Sequence, residues 1–199
     1  MKNVVVNALM NFVTSNKELD EIKKEELRFG FSSLYLTYSK LIVITIIALL
    51  LGIIKEYLIF LLFYNLIRTF SFGLHATKSW ICWVTSTIAF IGIPYLASVI
   101  TIPQFIKVLV GSYLVIRFAM NAPADTKKRP IISKKRRLFF KFVSTILAFI
   151  YILISIIIRD HLISNILFMA VFTQSIVISP YTYKLFKLPF NNYKNYVTE

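Results

Sequence analysis

Two residues of this 199-residue chain, His75 and Cys82, are of types that can together perform nucleophilic chemistry. A histidine within hydrogen-bond reach of a cysteine takes up the thiol proton and leaves a thiolate, which attacks carbonyl carbon. The two residues are seven positions apart. On one straight helix they would share a face but stand about 10 Å apart along the axis. A Cys–His pair therefore requires a break in the helix between them.

The segment between these residues contains signals for such a break. Gly73 can end one helix as a C-terminal cap, and Ser79 can begin the next helix as an N-cap. Cys82 then lies in the first turn of the new helix, where the positive end of the helix dipole favours a thiolate. The alternative is that Cys82 is an inert residue of an apolar helix and His75 a cap or an interfacial group.

The elements that must position these residues are predicted to be membrane helices. Hydrophobic residues make up 57% of the chain and charged residues 16%, with a mean hydropathy of +0.71. Soluble domains are about 45–50% apolar and about 25% charged. We therefore expect an all-α polytopic membrane protein with about six transmembrane helices. The predicted spans cover residues 34–54, 57–72, 81–101, 104–120, 138–158 and 162–180.

The start of the chain differs from these spans. Residues 1–31 combine apolar residues at helical spacing with many charged residues, which predicts an amphipathic helix in the membrane interface. A soluble helix packed on the loops is the alternative. No internal repeat is found. We expect one domain over 1–199, with the transmembrane region at 34–180 and a cytoplasmic tail at 181–199.

The net charge of +14 is interpreted as a sign of topology. With six spans, 20 of the 23 Lys and Arg residues fall on the same side as both termini. The positive-inside rule places that side in the cytoplasm, and an odd number of spans would remove the asymmetry. No nucleic-acid-binding pattern is present. One cysteine and two distant histidines predict no metal site, and no cofactor is expected.

Two motifs stand out in the sequence. The first consists of Arg68, Gly73-Leu74-His75-Ala76 and Cys82, and the second is the block 121–131, with Ala122-Pro123-Ala124-Asp125 near its start. Together they resemble the motifs of the accessory gene regulator B (AgrB) family of peptide-processing membrane endopeptidases. Arg129 precedes Pro130 where a lysine is expected, which keeps the charge. The likeness extends to the length, the amphipathic start and the order of spans, so it covers most of the chain.

The resemblance implies a cysteine endopeptidase of the bacterial plasma membrane, with Cys82 as nucleophile and His75 as base. Arg68 and Gly73 match motif positions needed for activity, Arg68 by holding a carboxylate or a peptide carbonyl. The candidate oxyanion donors are Ser79 or the backbone amides after Gly73. The substrate would be an AgrD-like precursor of a quorum-sensing peptide, cut on its C-terminal side. Its acyl group would pass through a thioester to an internal Cys or Ser, giving a thiolactone or lactone ring. The family also implies a homodimer, and the surrounding lipid is a further partner.

The basic loop after the second motif has two compatible interpretations. It holds that side of the protein in the cytoplasm, and it can grip the acidic C-terminal tail of such a precursor. Asp125 either orients His75 as a third catalytic residue or caps and neutralises the loop. The substrate-binding candidates are Asp125, Lys127, Lys128, Arg129, Lys134, Lys135, Arg136 and Arg137.

Two other functions are compatible with the sequence. A small peptide exporter would explain six spans and Arg68 at membrane depth, although no repeat of broken helices is found. A non-catalytic membrane adaptor would tolerate Cys82→Ser without loss of function. Neither requires Arg68, His75 and Cys82 to lie close together at one membrane face.

Overall fold

The computed structural model describes residues 2–15, 20–74, 79–126 and 130–196. Within these ranges the regular elements are helices and no strand is present, which confirms the predicted all-α fold. The helices form two compact units, residues 1–51 and 52–199. The units are defined by compactness alone, so the single domain over 1–199 stays a prediction.

The N-terminal unit consists of α1 (Lys2–Thr14) and α2 (Glu21–Leu50). The two helices pack together, and the side chain of Arg28 donates a hydrogen bond of 3.3 Å to Asn7 Oδ1. Asp20 caps α2, which then continues through Gly30 because one glycine costs a helix only about 1 kcal/mol. The helix predicted over 1–31 is therefore divided, and residues 21–31 belong to the same helix as the first predicted span.

The second unit contains the other predicted spans, each of which coincides with a helical segment. Each of the last three gaps between predicted spans contains a break between helices, whereas the break between the predicted spans 34–54 and 57–72 lies slightly earlier than expected, around Gly52. A 3₁₀ turn at Asn192–Asn195 follows the last helix. The elements are α3 (Ile54–Ser71), α4 (Ser79–Thr87), a π-helical turn (Ile88–Gly92), α5 (Ile93–Val99), α6 (Gln104–Asn121), α7 (Lys134–Ile157), α8 (His161–Val177) and α9 (Pro180–Leu185).

The centre of this unit is α8, which packs against α3, α5, α6 and α7. A helix that is apolar around most of its circumference is typically buried on all sides. One hydrophobic cluster includes Phe118, Ile152 and Val171, and a second includes Phe60 and Ile166. Because α8 contributes to both clusters, it connects the helices that surround it.

The π-helical turn anchors the α4–α5 segment to α3. Pro94 has no N–H to donate to the carbonyl group four residues earlier, and the preceding turn is wider than an α-helical turn. Within it, Phe90 makes edge contacts with Tyr57, Phe60 and Tyr64 of α3 at centroid distances of 6.5, 6.0 and 5.5 Å. The helix that carries Cys82 extends from this anchor.

Within the described residues, three helices are long and apolar enough to cross a membrane, namely Glu21–Leu50, Trp80–Val99 and Lys134–Ile157. Helices α3 and α6 have 18 residues each and contain charged residues such as Arg68 and Lys107, and α8 has 17 residues. The helical membrane fold is thus confirmed, whereas the number of six spans stays a prediction.

Candidate functional site

The two sequence motifs meet where α3, α6 and α8 end. Phe72 and Ala124 form a parallel β-bridge. The N–H of Ala124 donates to the carbonyl of Ser71 at 3.0 Å, and the N–H of Gly73 donates to the carbonyl of Ala124 at 2.9 Å. We refer to residues 71–74 and 122–126, together with Gln174 and Val177 of α8, as the loop junction. It joins main-chain segments that lie far apart in the sequence.

Gly73 occupies a position in the loop junction that only glycine fits. Its φ angle is +119°, a conformation that L side chains rarely adopt. A Cβ atom would lie 2.7 Å from Val177 Cγ1 and 3.4 Å from the Val177 carbonyl oxygen. Helix α3 ends at Ser71, two residues before Gly73. Gly73 therefore both turns the chain and allows it to approach α8.

Gln174 of α8 binds the turn that follows α3. Its Nε2 donates to Ser71 Oγ at 2.7 Å and to the carbonyl of Phe72 at 2.6 Å. The side chain is fully buried, and its Oε1 has no hydrogen-bond partner in the described part of the chain. Sequence reasoning missed Gln174, although a glutamine within the apolar span 162–180 was an available signal.

Arg68, near the end of α3, holds the segment that leads to His75. Its Nη1 donates to the hydroxyl of Tyr64 at 2.8 Å, and its Nη2 donates to the carbonyl of Leu74 at 3.2 Å. The motif predicts that Arg68 binds a carboxylate or a peptide carbonyl. In the structure it binds a carbonyl of its own chain, directly before His75.

Asp125 holds the C-terminal segment against the loop junction. It is 3% exposed and is the one acidic residue between Glu56 and Asp160. Its Oδ1 accepts a hydrogen bond of 2.9 Å from the N–H of Asn192. Its Oδ2 accepts hydrogen bonds of 2.8 Å and 3.4 Å from the N–H groups of Tyr193 and Ile131. Both carboxylate oxygens are thus occupied by main-chain donors, an arrangement closer to the predicted capping role than to the orientation of a histidine.

Tyr183 of α9 completes this arrangement. Its hydroxyl donates to the carbonyls of Ala124 at 3.2 Å and Asp125 at 3.1 Å. Burial raises the pKa of Tyr183 above its ordinary value, and the negative charge of Asp125 raises it further. Tyr183 therefore keeps its hydroxyl proton, and the hydroxyl can act as a donor throughout the physiological pH range.

Cys82 lies in the first turn of α4, as predicted, and its side chain is half-buried. The predicted break in the helix is confirmed, because α3 ends at Ser71 and α4 begins at Ser79. His75 lies outside the described residues, as does the side chain of Ser79, so the Cys–His pair stays a prediction. Among the described residues no group of His, Cys, Asp and Glu could hold a metal ion.

Four consecutive basic residues open α7, and three of them are exposed. The guanidinium of Arg137 lies over the ring of Tyr193, 3.4 Å from its centroid. Cations at a helix N-terminus oppose the helix dipole. The one ion pair in the described ranges is between Lys24 and Glu21, in the other unit. The first turn of α7 therefore presents positive charge that suits an anionic partner. Its residues are Lys134, Lys135, Arg136 and Arg137; the other basic candidates, Lys127, Lys128 and Arg129, fall outside the part that the structure describes.

Comparison with known proteins identifies the family. The family model of accessory gene regulator B (AgrB) matches residues 6–178. The chain is 27% identical over 178 residues to an AgrB-like protein of Clostridium acetobutylicum, covering 88% of this chain and 84% of that protein. It is 28% identical over 177 residues to an AgrB-like protein of Listeria monocytogenes, covering 89% and 87%. It is 29% identical over 143 residues to an AgrB-like protein of Lactiplantibacillus plantarum, covering 70% and 72%. No solved structure matches the chain. The chain therefore belongs to the accessory gene regulator B family.

Proposed function

We propose that this protein is a membrane cysteine endopeptidase that converts a precursor peptide into a cyclic thiolactone or lactone signal. Membership of the AgrB family supports the proposal. The structural observation that carries it is the helix break between Ser71 and Ser79, which leaves Cys82 in the first turn of a new helix. A Cys–His pair with seven-residue spacing needs such a break, because an unbroken helix would hold the two side chains too far apart.

In the proposed reaction, His75 accepts the thiol proton of Cys82 and the thiolate attacks the carbonyl carbon of the scissile peptide bond. The C–N bond then breaks, the leaving amine takes the proton from His75, and the acyl group remains on Cys82 as a thioester. A thiol or hydroxyl of the precursor attacks the thioester next. The proton it loses passes through His75 to the Cys82 sulfur, which leaves as the free thiol. The two steps balance without any other reactant.

The loop junction supports this chemistry by fixing where the segment after α3 leaves the helix. Gly73 allows the turn, Gln174 holds the carbonyl of Phe72, and Arg68 holds the carbonyl of Leu74. Each of these contacts acts on the residues directly before His75. Arg68 and Gly73 are thus proposed as positioning residues, which agrees with their place in the motif.

The basic turn of α7 is the proposed site for the acidic tail of the precursor. Lys134, Lys135 and Arg136 are exposed, and together with the N-terminal end of α7 they form a positive surface. Lys127, Lys128 and Arg129 are proposed to extend this surface. We also propose that the protein forms a homodimer in the bacterial plasma membrane, with both termini in the cytoplasm.

The rate of Cys82 alkylation as a function of pH tests the proposal, since the chain has a single cysteine. We expect alkylation at neutral pH to be fast, as for an activated thiolate, and to slow when His75 is replaced by alanine. The matched control is His161→Ala, because His161 is the other histidine of the chain and is exposed at the start of α8. Incubation with the precursor should then trap an acyl-enzyme that Cys82→Ser cannot form. A thiol that reacts slowly at neutral pH, is unaffected by His75→Ala and is never acylated would favour the exporter or the adaptor instead.

A further inference from the structure

A cavity of about 220 Å³ lies between α6, α8 and α9, apart from Cys82 and the motif loops. Its lining residues include Arg117 and four residues that carry a hydroxyl group, Tyr113, Ser175, Ser179 and Thr182. One cationic residue and several hydroxyl-bearing residues thus surround a space large enough for a small polar headgroup. Neither sequence motif contains any of these residues.

Neutral groups hold the guanidinium of Arg117 in place. Its Nη1 donates to the hydroxyl of Tyr113 at 3.1 Å, and its Nη2 donates to Ser179 Oγ at 2.7 Å. The Nε atom is buried and has no hydrogen-bond partner among the described residues. No carboxylate forms an ion pair with Arg117 in the described part of the chain. Because a guanidinium has five N–H donors and a permanent charge, this arrangement leaves both charge and donor capacity for an oxyanion.

The surroundings of the cavity indicate which oxyanion fits. Arg117 lies about one turn before the end of α6, at the end followed by the basic loop. Phe172 and Ile176, which also line the cavity, are exposed and continue its surface along α8. A positive group at the end of a membrane helix, next to exposed apolar side chains, matches a phosphodiester attached to acyl chains.

We propose that this cavity binds the phosphodiester headgroup of an anionic phospholipid. Arg117 contacts the phosphate oxygens, the hydroxyl of Ser179 contributes a hydrogen bond, and the acyl chains lie along Phe172 and Ile176. Thr182 precedes Tyr183, whose hydroxyl holds the carbonyls of Ala124 and Asp125. A bound lipid therefore stabilises α9 and, through it, one side of the loop junction. The inference of this site does not rest on the proposed peptidase activity.

Native mass spectrometry of the detergent-solubilised protein tests the site, with phosphatidylglycerol, phosphatidylcholine and inorganic phosphate as probes. We expect one phosphatidylglycerol to bind at least about tenfold more tightly than phosphatidylcholine, and Arg117→Gln to abolish that preference. Arg117→Lys, which keeps the charge but loses the planar donor array, should retain an intermediate preference. The matched control is Lys184→Gln, which removes a positive charge from an exposed residue of α9 outside the cavity.

Three outcomes would overturn the proposal. Equal effects of Arg117→Gln and Lys184→Gln would show that only net charge attracts the lipid. Displacement of phosphatidylglycerol by inorganic phosphate at equal concentration would show that the cavity takes a free anion. Displacement by a synthetic acidic peptide would assign the cavity to a peptide. Ser179→Ala provides a milder test if Arg117→Gln does not fold, since an unchanged lipid preference in this variant would also contradict the site.

Discussion

Helices α8 and α4 belong to the same compact unit and are both apolar, but only α8 is buried. Nine of the 17 residues of α8 are buried, whereas none of residues 80–87 of α4 is. Helix α8 packs against four neighbouring helices, while α4 is anchored through the π-helical turn that follows it. The helix that organises the unit and the helix that carries Cys82 are thus different helices.

The polar side chains of α8 explain how one buried helix organises its neighbours. At one end, Asn165 Nδ2 donates to the carbonyls of Ala97 at 3.0 Å and Ile100 at 2.6 Å, at the end of α5. At the other end, Gln174 holds the turn after α3. Both ends therefore bind main-chain carbonyls where neighbouring helices terminate. Helix α8 therefore fixes the fold of this unit, whereas the position of Cys82 on α4 depends on the turn after α3 and on the anchor at Phe90.

The largest change in stability is expected at Gly73, which contacts α8 and precedes α4 in the chain. Gly73→Ala should lower the free energy of unfolding by about 2–5 kcal/mol, because the new Cβ overlaps Val177 and the φ angle is positive. Thermal unfolding in detergent measures the loss. The control is Gly30→Ala in α2, where nothing lies within 4 Å of the added Cβ. Equal stability of the two variants would contradict the close packing of the loop junction.

A pair of valine truncations tests the contrast in burial directly. Val171 of α8 is 0% exposed and Val84 of α4 is 49% exposed. Val171→Ala should cost about 1–3 kcal/mol, because it leaves a cavity between packed helices. Val84→Ala should change stability by no more than about 0.5 kcal/mol. Similar losses for both variants, measured by thermal unfolding, would mean that α4 is packed as tightly as α8.

The smallest loss of stability is expected at Asp125, which binds the C-terminal segment and does not bind α4 or α8. Asp125→Asn should cost about 1–2 kcal/mol, because an amide replaces the carboxylate that accepts from three main-chain N–H groups. Trypsin should then cleave after Lys194 faster than in the wild type. Asp160→Asn is the control, because asparagine caps a helix about as well as aspartate. An unchanged cleavage rate in Asp125→Asn would show that the carboxylate does not hold the segment.

Part of this arrangement could be predicted from local sequence signals. Gly73 and Ser79 indicated the break before Cys82, since turn and cap preferences act within a few residues. The apolar segments indicated the helices because they, too, are local signals in the sequence. The division near residue 20 was missed because the charged residues 21–26 suggested an interfacial helix, yet they form the first turns of a long one. A single cap at Asp20 set that boundary.

The loop junction itself could not be predicted, because its contacts join main-chain groups. The bridge between Phe72 and Ala124 involves peptide groups that every residue possesses. The partners of Asp125 are likewise the amides of Asn192 and Tyr193, which carry no side-chain signature. Gln174 was visible as a polar residue in an apolar span, but its partner could not be identified without the fold.

The central position of α8 has a consequence for biosynthesis. The ribosome makes α8 after α3, α4, α5, α6 and α7, so the helices that surround it are synthesised before their common core exists. The partners of Asp125 at 192 and 193 are made later still. Contacts between residues far apart in sequence form late in folding. The complete loop junction therefore assembles only after α8 has been made, so a chain truncated before α8 cannot form it.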